Sequence, residues 1–231
     1  RMRDYILALK AIFACWQDGE PLAYEGRFYR HTLMTPMFNP GPNPFGAPPV
    51  LLGALGPRMT EVAGEVADGL IVHPFNNPRF LRNEALPAVQ RGLALADRQR
   101  EDFTLQINAI VITGEDDKQF AAARKAVRGL LGFYASTPAY LPPMAAMGFE
   151  ELQPELNRLS KAGDWEAMGE RIDDDFIAAF TTSGHPGDIA AALLARYGDC
   201  ADRLAIYAPY AAPDGMWRDI IADLKRLQNA Q

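Results

Sequence analysis

Basic charge is in short supply in this sequence of 231 residues: 23 Lys and Arg stand against 29 Asp and Glu, a net charge of −6. A surface of that sign lacks the clustered positive charge that nonspecific nucleic-acid binding needs. Cysteine is scarcer still. Cys15 and Cys200 are the two present, too few for a disulfide framework or a metal site, and they read as reduced thiols of a cytoplasmic protein. The three histidines, His31, His73 and His185, are widely separated. There is no HExxH, Walker loop, nucleophile elbow or CxxC, and no metal is expected. One uncharged stretch, Gly129 to Phe149, is long enough for a membrane span, yet it holds Gly132, Pro138, Pro142 and Pro143. It reads as part of a soluble fold, with no membrane association. Nor does Arg1-Met2-Arg3 open a signal peptide, since an amphipathic helix follows.

What is present is an ordinary globular composition, 48% hydrophobic and 23% charged, enough for a sizeable core. Tyr5, Leu9, Ile12, Phe13 and Trp16 recur at helical spacing and predict a helix over 4–16, stopped at Gly19-Glu20-Pro21. Ala23 to Arg30 suggests a hairpin turning at Glu25-Gly26. His31 to Pro57 carries seven prolines and no formal charge, a long ordered loop. Thereafter strand and helix alternate. Strands are expected at 50–54, 70–73, 103–113 and 204–207. Helices are expected at 58–67, 78–98 (kinked near Pro87), 116–131, 165–180, 186–196 and 213–231, the last with Trp217, Ile220, Ile221, Leu224 and Leu227 inward. An irregular insertion occupies 137–162. Strands alternating with helices imply a parallel sheet, because parallel strands need a crossover to return. Four strands are half of the eight that close a (β/α) barrel. An open four-stranded sheet is the simpler alternative.

Chemistry is most readable at Gly53-Ala54-Leu55-Gly56-Pro57-Arg58. A strand runs into a glycine turn, and Pro57 stands where the first turn of a helix begins. Such a helix start offers N–H groups to an anion, and Arg58 can add a charge-assisted bond to a phosphate. A tight strand-to-helix turn without a ligand fits the same residues. His73 ends a strand, and in parallel α/β proteins the carboxyl ends of strands carry the active site. In 103–113, Thr104, Gln106 and Asn108 form a polar face, either an interior hydrogen-bond layer or a ligand contact. Asp173-Asp174-Asp175 reads as a solvated helix face, because neighbouring positions do not converge on one ion. His185-Pro186 reads as a helix start.

In order along the whole chain, several segments resemble the luciferase-like monooxygenase superfamily, in particular its F420-dependent oxidoreductase branch. They are the lead helix 1–16, Tyr24-Glu25-Gly26-Arg27-Phe28-Tyr29, and Gly53 to Met59. Ala63-Gly64-Glu65-Val66-Ala67-Asp68-Gly69 and Gly184-His185-Pro186-Gly187-Asp188-Ile189 complete them. Phe133 to Tyr140 resembles the insertion of one F420-associated subgroup. The resemblance implies an α/β TIM-type (β/α)8 barrel, with 1–231 a single domain carrying an insertion at 137–180. It implies coenzyme F420, or alternatively FMN, held at its phosphate by Gly53, Ala54, Leu55, Gly56, Pro57 and Arg58. Hydride transfer to or from a small organic substrate would be the reaction with F420, and monooxygenation the FMN alternative. His73, Asn108 and Tyr134 are the substrate-pocket candidates. Family members begin with four further βα units, roughly a hundred residues, so the chain matches the carboxyl-terminal part and no catalytic acid or base is assigned. A non-catalytic partner subunit is the competing expectation, and a homodimer is one assembly the sequence allows.

Overall fold

The computed structural model describes residues 1–229. Helix α1 (Met2–Asp18) precedes the strands β1 (Tyr24–Glu25) and β2 (Arg30–His31), then β3 (Leu51–Ala54), α2 (Pro57–Val66) and β4 (Gly69–Val72). Next come α3 (Pro78–Phe80), a π-helical turn (Leu81–Ala85), α4 (Leu86–Leu95), β5 (Thr104–Ile112) and α5 (Asp117–Ala135). The remainder is α6 (Leu141–Ala145), α7 (Gln153–Ala162), α8 (Trp165–Glu170), α9 (Asp174–Phe180), β6 (Thr182–Ser183), α10 (Pro186–Tyr197), β7 (Arg203–Tyr207) and α11 (Asp214–Gln228). The chain divides into two units: Arg1–Ile71 with Leu86–Thr104, and Val72–Ala85 with the chain from Leu105 onward.

In the first unit α1 ends at Gly19, whose φ of 73° is the left-handed C-cap conformation that glycine adopts without strain. The hairpin pairs Tyr24 with His31 and Glu25 with Arg30. Its turn therefore runs through 26–29 and not at Glu25-Gly26 as expected. The cause is Asp4 of α1, whose carboxylate accepts from the Tyr24 hydroxyl and from the N–H groups of Phe28 (2.6 Å) and Tyr29 (3.1 Å). A Cβ at Gly26 would lie 1.9 Å from Asp4 Oδ1, so any other residue there must displace the carboxylate that closes the turn. The Tyr24 hydroxyl foremost, with the Phe28 and Tyr29 amides, holds the Asp4 carboxyl below its ordinary value of 3.8, against the upward push of burial. A depressed carboxylate contributes stability above its unfolded pKa and loses it as pH falls through the folded value. The melting temperature of the wild type should therefore exceed that of Asp4→Asn at pH 6, and the gap should close as pH drops below 3.8. A gap that stays constant with pH would rule out the carboxylate as its source.

The segment Ala63 to Gly69 is built for close approach. Gly64 of α2 meets α4 at Gly92, and a Cβ on Gly64 would sit 2.4 Å from the Val89 carbonyl oxygen. Arg98 donates to the Gly64 and Ala67 carbonyls at 2.9 and 2.7 Å, satisfying the end of α2. Asp68 then ties three elements together. Its Oδ2 accepts from Val50 N (2.7 Å), its Oδ1 from Lys10 Nζ (2.6 Å), and its backbone N–H donates to Val50 O at 2.8 Å. At Gly69 a Cβ would fall 2.4 Å from Thr104 O, so β4 also starts where only glycine fits.

In the second unit β5 runs parallel to β6 and β7, with Asn108 opposite Ala205 of β7 and Val111 opposite Thr182 of β6. Its alternation follows the sequence: Leu105, Ile107 and Ala109 are buried, while Thr104, Gln106 and Asn108 are half-buried. Asp202 repeats the device of Asp68, accepting from Leu105 N (2.6 Å) while its own N–H donates to Leu105 O (3.0 Å). Behind β5 the core gathers Ile110, Ile112, Val127, Leu131, Leu156, Met168, Phe176 and Phe180.

Four further expectations change, and the expected kink near Pro87 is present. The insertion over 137–162 is largely helical, because α6 and α7 bury Met144, Leu156 and Leu159. The helix expected at 165–180 is two helices, since Asp173 accepts from Phe176 N (2.8 Å) and caps a new start. The short strand β6 was not foreseen; β-branched Thr182, with Thr181 just before the strand, is the local signal. The kink near Pro87 is a π-helical turn immediately before it, as expected where proline removes a helical N–H and crowds the carbonyl four residues back. Ile221 is not inward. It is 44% exposed beside a groove of about 740 Å³ shared with Trp217 and Leu224. Residues 230 and 231, the end of the expected last helix, lie outside the described residues. Among the described residues no helix is long and apolar enough to cross a membrane.

Candidate functional site

The turn after β3 belongs to the first unit. Gly56 is the N-cap of α2 with φ −69° and ψ 147°, and Pro57 occupies the first turn. The Gly56 carbonyl accepts from Met59 N (3.1 Å), Thr60 N (3.0 Å) and Thr60 Oγ1 (3.1 Å). The N–H groups of Leu55, Gly56 and Arg58 donate to no group among the described residues. A Cβ at Gly53 or Gly56 would meet nothing within 4 Å. Arg58 is exposed and makes no ion pair among the described residues. No side chain caps the helix. The turn therefore presents open space, unpaired donors and a free cation together, which suits an anionic group.

The second unit brings His73 and Tyr134 into direct contact. His73 follows the carboxyl end of β4, and its ring lies 4.9 Å from Tyr134, edge-on, and 4.6 Å from Tyr140. His73 Nδ1 accepts the Phe75 N–H at 3.1 Å, so the proton of the neutral ring resides on Nε2. Burial alone pushes the His73 imidazole below its ordinary 6.5. Tyr134 Oη lies 3.4 Å from Tyr207 Oη. Burial first, then that hydroxyl, pushes the Tyr134 phenol above its ordinary 10. Beneath them Phe75 stacks on Phe180 with ring centres 4.3 Å apart and planes 3° apart.

The segment carrying His73 is rigid by its own hydrogen bonds. Asn76 Nδ2 donates to His73 O at 2.7 Å and Asn108 O at 3.2 Å, and Asn77 Nδ2 donates to Pro143 O at 2.8 Å. Both asparagines are fully buried. Asn108, the third pocket candidate, accepts at Oδ1 from Gln106 Nε2 (3.2 Å), which favours its hydrogen-bond-layer reading.

Elsewhere, His185 Nδ1 accepts from Gly187 N (3.3 Å) at the start of α10, while His31 is exposed in the hairpin. Asp174 pairs with Arg124 and Arg128, so the aspartate run is a cap and an ion pair. Tyr207 and Tyr140 were not singled out from sequence. Tyr207 ends β7, and the strand-end rule that raised His73 would have found it.

A family model described as luciferase-like monooxygenase matches residues 1–203. An uncharacterized protein of Mycobacterium tuberculosis is 47% identical over 204 residues, covering 88% of this chain and 60% of its own length. The 5,10-methylenetetrahydromethanopterin reductase of Archaeoglobus fulgidus is 25% identical over 82% of this chain and 54% of its own. Among solved structures, the coenzyme F420 dependent tetrahydromethanopterin reductase of Methanopyrus kandleri superposes with a TM-score of 0.72 at 20% identity, over 96% of this chain and 61% of that one. The chain thus shares the fold of these proteins while spanning about 60% of the length of the mycobacterial relative. With 203 consecutive residues matched from Arg1, the chain belongs to the luciferase-like monooxygenase family.

Proposed function

We propose that this chain forms the phosphate-binding turn and part of the substrate cleft of an F420-dependent oxidoreductase, in which hydride passes between the deazaflavin and a small organic substrate. The observation that carries this reading is the turn at 53–58, with three unpaired N–H groups, open space at both glycines and an unpaired Arg58. Relatives described as F420-dependent support the choice of cofactor, among them a putative oxidoreductase of Mycobacterium tuberculosis, 28% identical over 77% of this chain.

Leu55, Gly56 and Arg58 would hold the cofactor phosphate. When bound, F420 supplies a hydride donor or acceptor at the central carbon of its ring. His73 and Tyr134 would line the substrate side, with His73 neutral and its Nε2–H available as a donor. A (β/α)8 barrel belongs to the same proposal, as do a cytoplasmic location and a homodimer.

Titration of the protein produced from its own gene, followed by F420 fluorescence and in parallel by FMN fluorescence, tests the proposal. Saturable F420 binding with FMN weaker by at least tenfold is expected. The reverse order would move the protein to the FMN-dependent monooxygenase reading. Binding of neither cofactor would remove the oxidoreductase reading and favour a partner subunit.

A further inference from the structure

Oxidoreductase substrates differ widely in charge, and a cleft selects among them by what it can pair. The polar groups gathered around His73 are of one kind. His73 offers Nε2–H because Nδ1 is occupied by the Phe75 amide. Tyr134 and Tyr207 present two hydroxyls 3.4 Å apart, and Tyr207 stands at the carboxyl end of β7 with 36% of its surface exposed. Hydroxyls both donate and accept, so this pair can meet a carbonyl or an alcohol. Beside them Tyr140 is half-buried with its ring 4.6 Å from His73, and Phe75, Phe176 and Phe180 lie fully buried beneath as the apolar floor. Among the described residues, no Lys, Arg, Asp or Glu acts on either His73 or Tyr134. A carboxylate or phosphate placed here would be desolvated without a countercharge, which is costly.

We propose that His73, Tyr134 and Tyr207 form a charge-excluding specificity site, one that takes an uncharged carbonyl or hydroxyl oxygen on an aromatic or otherwise apolar body and rejects anionic substrates. The inference rests on the oxidoreductase reading only in taking this cluster as the substrate side. The two glycines and Arg58 of the phosphate turn play no part in it. Tyr207 is a specificity residue here, and its hydroxyl is the atom at issue.

Three probes of matched shape test the site: acetophenone, benzoate and phenyl phosphate, each followed by ligand-observed NMR and by the 15N shift of the His73 ring. Acetophenone should bind saturably and shift the Nε2 resonance, with both anions at least tenfold weaker. Tyr207→Phe should weaken acetophenone three- to tenfold while leaving toluene binding unchanged. That pattern separates a lost hydrogen bond from a disturbed fold. Equal or tighter binding of either anion overturns the proposal, and so does binding of none of the three. Unchanged acetophenone affinity in both Tyr207→Phe and His73→Phe overturns it as well. F420 titration of the same samples is an independent readout. Charge selection without F420 binding would sink the cofactor assignment and leave this site standing, whereas F420 binding without charge selection would do the opposite.

Discussion

A Gly56→Asp variant should fold as stably as the wild type and bind F420 ten- to a hundredfold more weakly. Gly56 has φ −69° and ψ 147°, ordinary extended backbone for any residue, and a Cβ there meets nothing within 4 Å. Aspartate is also a preferred N-cap, so stability should hold or rise by a few tenths of a kcal/mol. Binding moves the other way. The new carboxylate would accept from the helix N–H groups that the phosphate needs, and it would repel the phosphate itself. Two like charges about 6 Å apart at an effective dielectric of about 20 repel by about 3 kcal/mol before salt screening. A residual 1.4–2.8 kcal/mol is the stated range in affinity. Circular dichroism and F420 fluorescence on the same sample check both halves. An unchanged dissociation constant would move the phosphate site away from this turn.

The larger stability effect should come from a helix glycine at the contact between α2 and α4. On propensity alone, alanine for glycine inside a helix stabilises by up to about 1 kcal/mol. At Gly92 packing reverses the sign. Its Cβ would lie 2.0 Å from Glu61 O, 2.8 Å from Glu65 N and 2.9 Å from Gly64 Cα, all backbone atoms that cannot swing aside. Gly92→Ala must push the two helices apart and should cost about 2–3 kcal/mol, the upper part of the usual range for overpacking. At 2–4 °C per kcal/mol for a chain of this size, that is a fall in melting temperature of about 4–12 °C. Gly129 of α5 is the internal comparison, because a Cβ there meets nothing within 4 Å. Gly129→Ala should therefore stabilise by about 0.5–1 kcal/mol. Urea midpoints for the two variants give opposite signs if packing decides, and the same sign if propensity does.

These cases mark where sequence reasoning reaches and where it stops. The turn at 53–58 was legible because every feature it needs is local: a short apolar strand, a glycine at the cap, a proline in the first helical turn. The alternation of β5 was legible for the same reason, since successive strand residues face opposite sides. The two-helix character of 165–180 was missed because Asp173 caps only if the chain has already turned there. The helical insertion was missed because its order comes from burying Met144 and Leu156 in a core supplied by α5, α8 and α9.

By itself the sequence determined the alternation of the longer strands and helices and the glycine-proline turn at 53–58, each carried by residues close together in the chain, and the family resemblance, carried by short motifs in order. Only the tertiary structure decided that the tyrosines at 134 and 207, 73 residues apart, share a hydroxyl contact beside His73. It alone decided that Asp4 closes a hairpin 24 residues away and that Gly64 and Gly92 must remain glycines. The physical reason is the same in each case. A local pattern sets which face of an element is apolar, but the partner that meets that face is chosen by close packing of elements distant in sequence.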